Sequence, residues 1–229
     1  SEFYSGFTNN DGENLFNLNY DAQKWQLAVD ATEEAILAAT GQGVLMYQYT
    51  GDIPTFDETN YINPFIKTQY DYRYVVTDPW NSELIWGNSS PVNSWWRLQS
   101  GALMKNPTAS SGEAAWQWIA PTMRMAELFY TKNGLPIEND LSFDYINRYD
   151  VTPISFINRY VAQYGQSTAK LNLDREPRFY SSLTFDRGLN RSWGELWNLK
   201  MRKGESHGRN ANTGDYLITG YGLKKIVHP

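Results

Sequence analysis

Only one long run of this chain keeps a helical period without interruption, and that contrast limits the fold more than any other feature. From about Tyr20 to Ala39, the residues Trp25, Ala28, Val29, Thr32, Ala35, Ile36 and Ala39 recur three and four apart, which puts them on one helix face. Asn19 or Asp21 stands where an N-cap belongs, and Gly41 with Gly43 supplies the stop. The alanines would let a neighbouring helix approach closely, as in stacked helical hairpins. The helix has no second copy, so no internal repeat is expected. Elsewhere Gly, Pro, Asn and Ser cut the chain into short pieces. The expected fold class is mainly α with short β-hairpins and long irregular loops.

The shorter pieces carry weaker signals. Asn9-Asn10-Asp11-Gly12 is a turn sequence, and Tyr49–Asn63 reads as a loop. Ile62–Ile66 and Arg73–Val76 are ambiguous, the second open to a strand. Asp78-Pro79-Trp80-Asn81 is a turn, followed by Glu83–Gly87 as a short strand or a helix end. A helix is expected over Pro121–Lys132, with Met125, Leu128 and Phe129 facing inward and Gly134 beyond its end. Tyr149–Tyr164 holds another after Pro153, with Phe156, Ile157, Tyr160 and Val161 on one face. Alternation marks Phe179–Asp186 as the clearest strand and Tyr216–Val227 as a second, with Arg187–Asp215 an excursion between them.

Composition removes several functions. The 229 residues suit one or two domains, and the formal charge of −5 is spread along the chain, which argues against nucleic acid or an anionic membrane as the main partner. The longest apolar runs, Ala35–Ala39 and Gly43–Met46, are too short to span a bilayer. Without cysteine there is no disulfide, thiolate metal site or cysteine nucleophile. Only His207 and His228 exist, with no zinc-type spacing, and His207 among Arg202, Lys203 and Arg209 reads as part of a solvated loop. Gly41-Gln42-Gly43 follows a helix, the wrong context for a dinucleotide fingerprint. Asn9–Glu13 lacks a full calcium-loop spacing and reads as a polar turn. No cofactor or metal is expected.

Glycosidase chemistry needs a general acid facing a nucleophile or base. With 25 acidic residues, pairs such as Asp186 and Glu195 are inevitable, and no spacing singles one out. The cluster Asp174-Arg175-Glu176-Pro177-Arg178 reads as structural, its two arginine forks pairing with nearby carboxylates at the turn into the strand. No catalytic residue is assigned. Binding has the better support. Nine Trp, 16 Tyr and 10 Phe supply flat faces for sugar rings, and amides supply forks for hydroxyls. The densest place is the irregular stretch 88–120. There Asn93, Trp95, Trp96 and Arg97 lie within five residues, and Trp116-Gln117-Trp118 would put two indoles on one face of an extended chain. These seven are the candidate ligand-binding residues; the tryptophans could equally plug a core beneath the loops.

Several segments together resemble the SusD/RagB family of surface nutrient-binding lipoproteins of Bacteroidetes. They are the Trp25–Ile36 helix, Thr77-Asp78-Pro79-Trp80-Asn81-Ser82-Glu83-Leu84-Ile85-Trp86, Pro121–Phe129 with Asn133-Gly134-Leu135-Pro136-Ile137, Asp174-Arg175-Glu176-Pro177-Arg178-Phe179-Tyr180, and Tyr221-Gly222-Leu223-Lys224-Lys225-Ile226. The resemblance implies that residues 1–229 form the central nutrient-binding region of such a protein, one domain fragment. It would lack the N-terminal lipid-anchored part and the C-terminal helices of an α-helical, tetratricopeptide-like superhelical fold. It implies non-enzymatic capture of oligosaccharide or polysaccharide at the outer membrane, for delivery to a SusC-like TonB-dependent transporter. Membrane attachment would come only through a lipid anchor outside this stretch. The alternatives are a peptide-binding or transporter-docking protein of the same family, or a glycoside hydrolase fragment.

Overall fold

The placement of every helix and strand follows from which backbone polar groups find partners. A computed structural model describes residues 4–53, 64–87, 116, 118–192, 195–209 and 216–225. By backbone proximity the chain divides into two units, Ser1–Met46 with Ser82–Trp86, and Tyr47–Asn81 with Gly87–Pro229.

The first unit is built on helix α1, Ala22–Gly41, which begins and ends two residues later than its sequence pattern. Asp21 caps it by accepting the Gln23 N–H at 2.9 Å. At the other end Gly43, at φ +85°, takes the left-handed conformation that lets its N–H reach Thr40 O at 3.0 Å. None of the helix residues is buried. Asn9 confirms the polar-turn reading: its side-chain oxygen accepts the N–H groups of Asp11 and Glu13 at 3.0 and 2.9 Å. Glu83–Gly87 is neither strand nor helix end; next to it the Leu45 N–H reaches Ser82 O at 3.0 Å.

In the second unit the stretch containing Arg73–Val76 is a helix, not a strand: α2, Pro64–Thr77. Its buried residues are Ile66, Gln69, Tyr70 and Arg73, a clear i, i+3, i+4, i+7 set. Two of the four are polar, which hides the period from a reading based on hydrophobicity. α2 packs on α4, Pro177–Ser182, where Phe65 meets Tyr180 edge-on at 5.7 Å. Residues 179–182 were expected to open a strand. Pro177 at the first helical position and burial of Phe179, Tyr180 and Ser181 on successive positions make them a helical turn instead.

Three antiparallel strand pairs surround this contact. β1 (Val151–Pro153) pairs with β2 (Ser167–Ala169), β3 (Leu183–Phe185) with β6 (Tyr221–Leu223), and β4 (Leu189–Ser192) with β5 (Glu195–Asn198). Parts of the two expected strand segments, Phe179–Asp186 and Tyr216–Val227, pair with each other in the structure, Leu183 opposite Leu223, Thr184 opposite Gly222 and Phe185 opposite Tyr221. The excursion between them contains the β4–β5 hairpin. The helix expected over residues 149–164 is a single 3-10 turn, Phe156–Tyr160, after strand β1; Phe156 and Ile157 are exposed while Val161 is buried. The core gathers Ile137, Ile154, Val161, Leu171, Phe179, Phe185 and Tyr221.

Helix α3, Met123–Leu128, starts at Thr122, whose hydroxyl accepts the Met125 N–H at 3.1 Å. It is shorter than expected, and its inward residues are Ala126 and Glu127, whereas Met125 and Leu128 are exposed. The reason lies 49 residues away. The fully buried Arg175 guanidinium donates to Ala126 O at 2.7 Å, Phe129 O at 2.6 Å, Tyr130 O at 3.3 Å and Leu171 O at 2.7 Å. The arginine therefore caps the open carbonyl end of α3. Arg175 does not pair with a carboxylate, as its motif was expected to; Arg178 does, with Glu176 at 2.6 Å. The structural reading of the cluster stands, with a different partner for its first arginine. Arg175→Met would bury several carbonyls without donors, each costing about 1–3 kcal/mol. Urea unfolding should show a loss of at least ~3 kcal/mol, with Arg175→Lys recovering only part because one ammonium cannot span four acceptors.

Candidate functional site

The Trp116-x-Trp118 segment reaches the surface just before α3, and its anchor explains its position. Thr219 Oγ1 donates to Pro121 O at 2.6 Å, and Ala120 packs on the small core formed by Leu199 and Leu217, together with Trp197 and Met201. Two residues upstream, Trp118 is 58% exposed, while Trp116 is half-buried. Their ring centroids are 4.9 Å apart with planes tilted by 40°. Both indoles thus lie together, as expected from the Trp-x-Trp spacing. An exposed indole suits the CH face of a pyranose. Asn93, Trp95, Trp96, Arg97 and Gln117 lie outside the described residues.

Beneath the anchor, the β4–β5 hairpin and residues 199–209 form a polar support. Asp186 accepts the Met201 N–H at 3.0 Å and Arg202 Nε at 2.9 Å, and Arg187 donates to Glu205 at 2.5 Å. Gly208 permits the closure: a Cβ there would lie 2.1 Å from Arg202 O. His207 is not in a solvated loop. It is 6% exposed, its ring stacks on Trp197 at 6.1 Å, and its Nδ1 accepts the Lys200 N–H at 3.2 Å. Of the basic neighbours that suggested a solvated loop, Arg202 pairs with Asp186.

Sequence reading gave no role to two further residues. Trp197, with His207 on one side and the small core near it, lacked any distinguishing pattern. Trp80, 70% exposed, sits at φ +56° in the expected turn, where Asn81 Nδ2 donates to Val75 O and Asp78 O at 3.0 and 2.9 Å. A bulky residue with left-handed backbone is uncommon and depends on such surrounding bonds.

Several of the described carboxyls are held ionised by their partners. The hydrogen bond from the Tyr149 hydroxyl and those from Arg148 and Arg124 hold Glu127 below the usual range against the opposing effect of burial. Thr131, Ser142 and Asn133 hold Asp140 well below it. Burial raises Glu205, but the Arg187 fork and the Arg202 amide outweigh it and the net shift is downward. All three are ionised at neutral pH, the wrong state for a general acid. Asp186 is committed to Arg202 and the Met201 amide, and the side chain of Glu195 lies outside the described residues. Among the described residues no group of acids or histidines is placed to hold a metal ion, and no helix is long and apolar enough to cross a membrane.

Burial, aided by the Lys200 charge and opposed by Glu205, lowers the His207 pKa below its ordinary 6.5. The unfolded chain therefore binds a proton first, so His207 stabilises fully above pH 6.5 and less as the pH falls toward its folded value. Between pH about 6.5 and about 5, the melting temperature of the wild type should fall more steeply than that of His207→Asn, which keeps an acceptor for the Lys200 amide but cannot titrate. Parallel slopes would exclude this role.

Residues 82–229 match the SusD family. The members of that family are generally non-catalytic binding proteins of nutrient and glycan uptake. No curated protein matches the chain. Two solved structures of BT4246, one of them the selenomethionine protein, share its fold at 29% identity, with TM-scores of 0.70 and 0.69 over 95% of this chain. The alignment covers 38% and 39% of those chains, so this one spans about two fifths of their length. With well over half of its residues matched by the family and a SusD-like fold, the chain belongs to the SusD family.

Proposed function

We propose that this chain is part of a non-enzymatic, surface-exposed SusD-type binder that captures oligosaccharide and passes it to a SusC-like TonB-dependent transporter in the outer membrane. In this reading a lipid anchor outside the 229 residues holds the protein at the membrane, and further helices complete a tetratricopeptide-like superhelix in which α1 takes part. The observation that carries the reading is the Trp118 indole, exposed yet held against Trp116 at 4.9 Å above a braced anchor. Asn93, Trp95, Trp96, Arg97 and Gln117 are the further candidate contacts in this reading, chosen for their residue types, the amides and the guanidinium to serve hydroxyls that the rings cannot. Family membership supports both the class of ligand and binding without turnover.

Stacking on an aromatic face is worth about 0.5–1.5 kcal/mol beyond area burial, so one ring changes affinity by roughly two- to tenfold. Titration of tryptophan fluorescence with plant and host oligosaccharides, and with a peptide pool as control, should give saturation with one sugar class. Trp118→Ala should weaken that binding by a factor in this range. An unchanged affinity in Trp118→Ala would remove the stacking role. Saturation by peptides alone would move the protein to the peptide-binding alternative.

A further inference from the structure

A five-residue pattern occurs twice, eleven residues apart: Tyr145-Ile146-Asn147-Arg148-Tyr149 and Phe156-Ile157-Asn158-Arg159-Tyr160. It corrects the expectation that the chain holds no repeat. The first copy is a turn and the second a 3-10 helix, yet both build the same device. In each, the guanidinium lies between the preceding aromatic ring and the following tyrosine: Arg148 Cζ is 4.1 Å from the Tyr145 centroid and 4.3 Å from that of Tyr149, and Arg159 Cζ is 3.8 and 4.0 Å from Phe156 and Tyr160. In each, one terminal nitrogen donates to the carbonyl three residues back, at 2.9 Å to Tyr145 O and 2.8 Å to Phe156 O. The other donates to the following tyrosine hydroxyl, Tyr149 at 3.0 Å and Tyr160 in the second copy.

The copies differ in one respect. Arg148 Nε donates to Glu127 Oε1 at 2.7 Å, and the Tyr149 hydroxyl donates to the same oxygen at 2.5 Å. The first device therefore holds a carboxylate. Among the described residues Arg159 has no carboxylate partner, and its Nε–H makes no hydrogen bond there. No Asp or Glu occurs in sequence from Val151 to Leu173, in a chain with 25 of them. Phe156 and Tyr164 stand beside the guanidinium, 59% and 56% exposed and edge-to-face at 5.7 Å.

We propose that Arg159, backed by Phe156 and Tyr160, is a second ligand site, and that it takes the carboxylate of a uronic acid within an oligosaccharide. The occupied copy defines the chemistry: a carboxylate oxygen on an arginine Nε clamped between two rings, a charge-assisted bond in a pre-set fork. The exposed rings beside it define the rest of the ligand, because a uronic acid carries its carboxylate on a ring whose CH face can stack. This assignment rests on the saccharide reading above and adds an acidic class to it.

The test is calorimetric titration of the 229-residue chain with tetragalacturonate, a glucuronate-bearing xylo-oligosaccharide, the methyl ester of each, and a tripeptide with a free C-terminus. At least one acid should bind at least tenfold more tightly than its ester. Arg159→Gln should lose that difference, while Trp118→Ala keeps it. Arg159→Lys, which retains charge but not the planar fork, should lose most of it. In the wild type, the Nε–H resonance of Arg159 should shift on adding the acid and that of Arg148 should not, a readout independent of any variant's folding. Equal binding of acid and ester, or an unchanged difference in Arg159→Gln, overturns the site. Neutral oligosaccharide binding that needs Trp118, with no uronate binding, overturns it and leaves the function above standing. Tripeptide binding lost in Arg159→Gln, without uronate binding, overturns the saccharide assignment.

Discussion

The buried Arg175 guanidinium is the interaction on which the second unit depends. A charge without water needs several acceptors, and here all four are main-chain carbonyls, from the end of α3 and from the turn before Asp174. Satisfying it fixes where α3 stops and sets the chain entering α4 beside residues 129–131, where Thr131 bridges to Arg175 and the Glu176 N–H reaches Tyr130 O. The Phe179 ring lies 4.6 Å from the guanidinium, so the same cation also meets the aromatic core. Polar groups nearby follow the same rule. Tyr221 donates to Asn172 Oδ1 at 2.7 Å, Asn172 to Thr168 at 3.0 Å, and Lys224 Nζ to Leu189 O at 2.9 Å. Buried polar atoms joined in this way specify one arrangement of short elements that hydrophobic packing alone would leave loosely placed.

That rigidity is what the exposed indole uses. Thr219 lies two residues before strand β6, so its bond to Pro121 O ties the Trp116–Trp118 segment to the strand pair that closes the core. The His207–Trp197 stack and the Asp186–Arg202 and Arg187–Glu205 pairs brace the neighbouring hairpin. A ring held this way loses little conformational freedom on meeting a flat ligand, which is how a small contact yields useful binding.

Some of this was legible in the residues and some was not. Helix α1 was legible because its period is long, and because Asp21 and Gly43 act through local backbone geometry. Strand character at β3 and β6 was legible from alternation, and the closeness of Trp116 and Trp118 from their spacing, whereas the pairing of β3 with β6 was not. Helix α2 escaped because Gln69 and Arg73 occupy core positions, so hydrophobicity understates its buried face. Residues 179–182 read as strand because Phe, Tyr and Ser alternate there, whereas packing on α2 buries consecutive positions. The repeat around Arg148 and Arg159 escaped because it is only five residues long and its two copies differ in backbone form.

By itself the sequence determined the punctuation, the one long helix, the aromatic supply and the membership these motifs imply, all of which rest on local geometry or residue chemistry. Tertiary structure decided the long-range choices. It put Arg175 on carbonyls rather than carboxylates, buried His207, turned Met125 and Leu128 outward, and gave Arg148 a carboxylate while Arg159 received none among the described residues. The carbonyls on Arg175, the Lys200 amide on His207 and the Glu127 carboxylate on Arg148 come from 4 to 49 residues away, and a donor's partner is set by whichever acceptor the fold delivers to it.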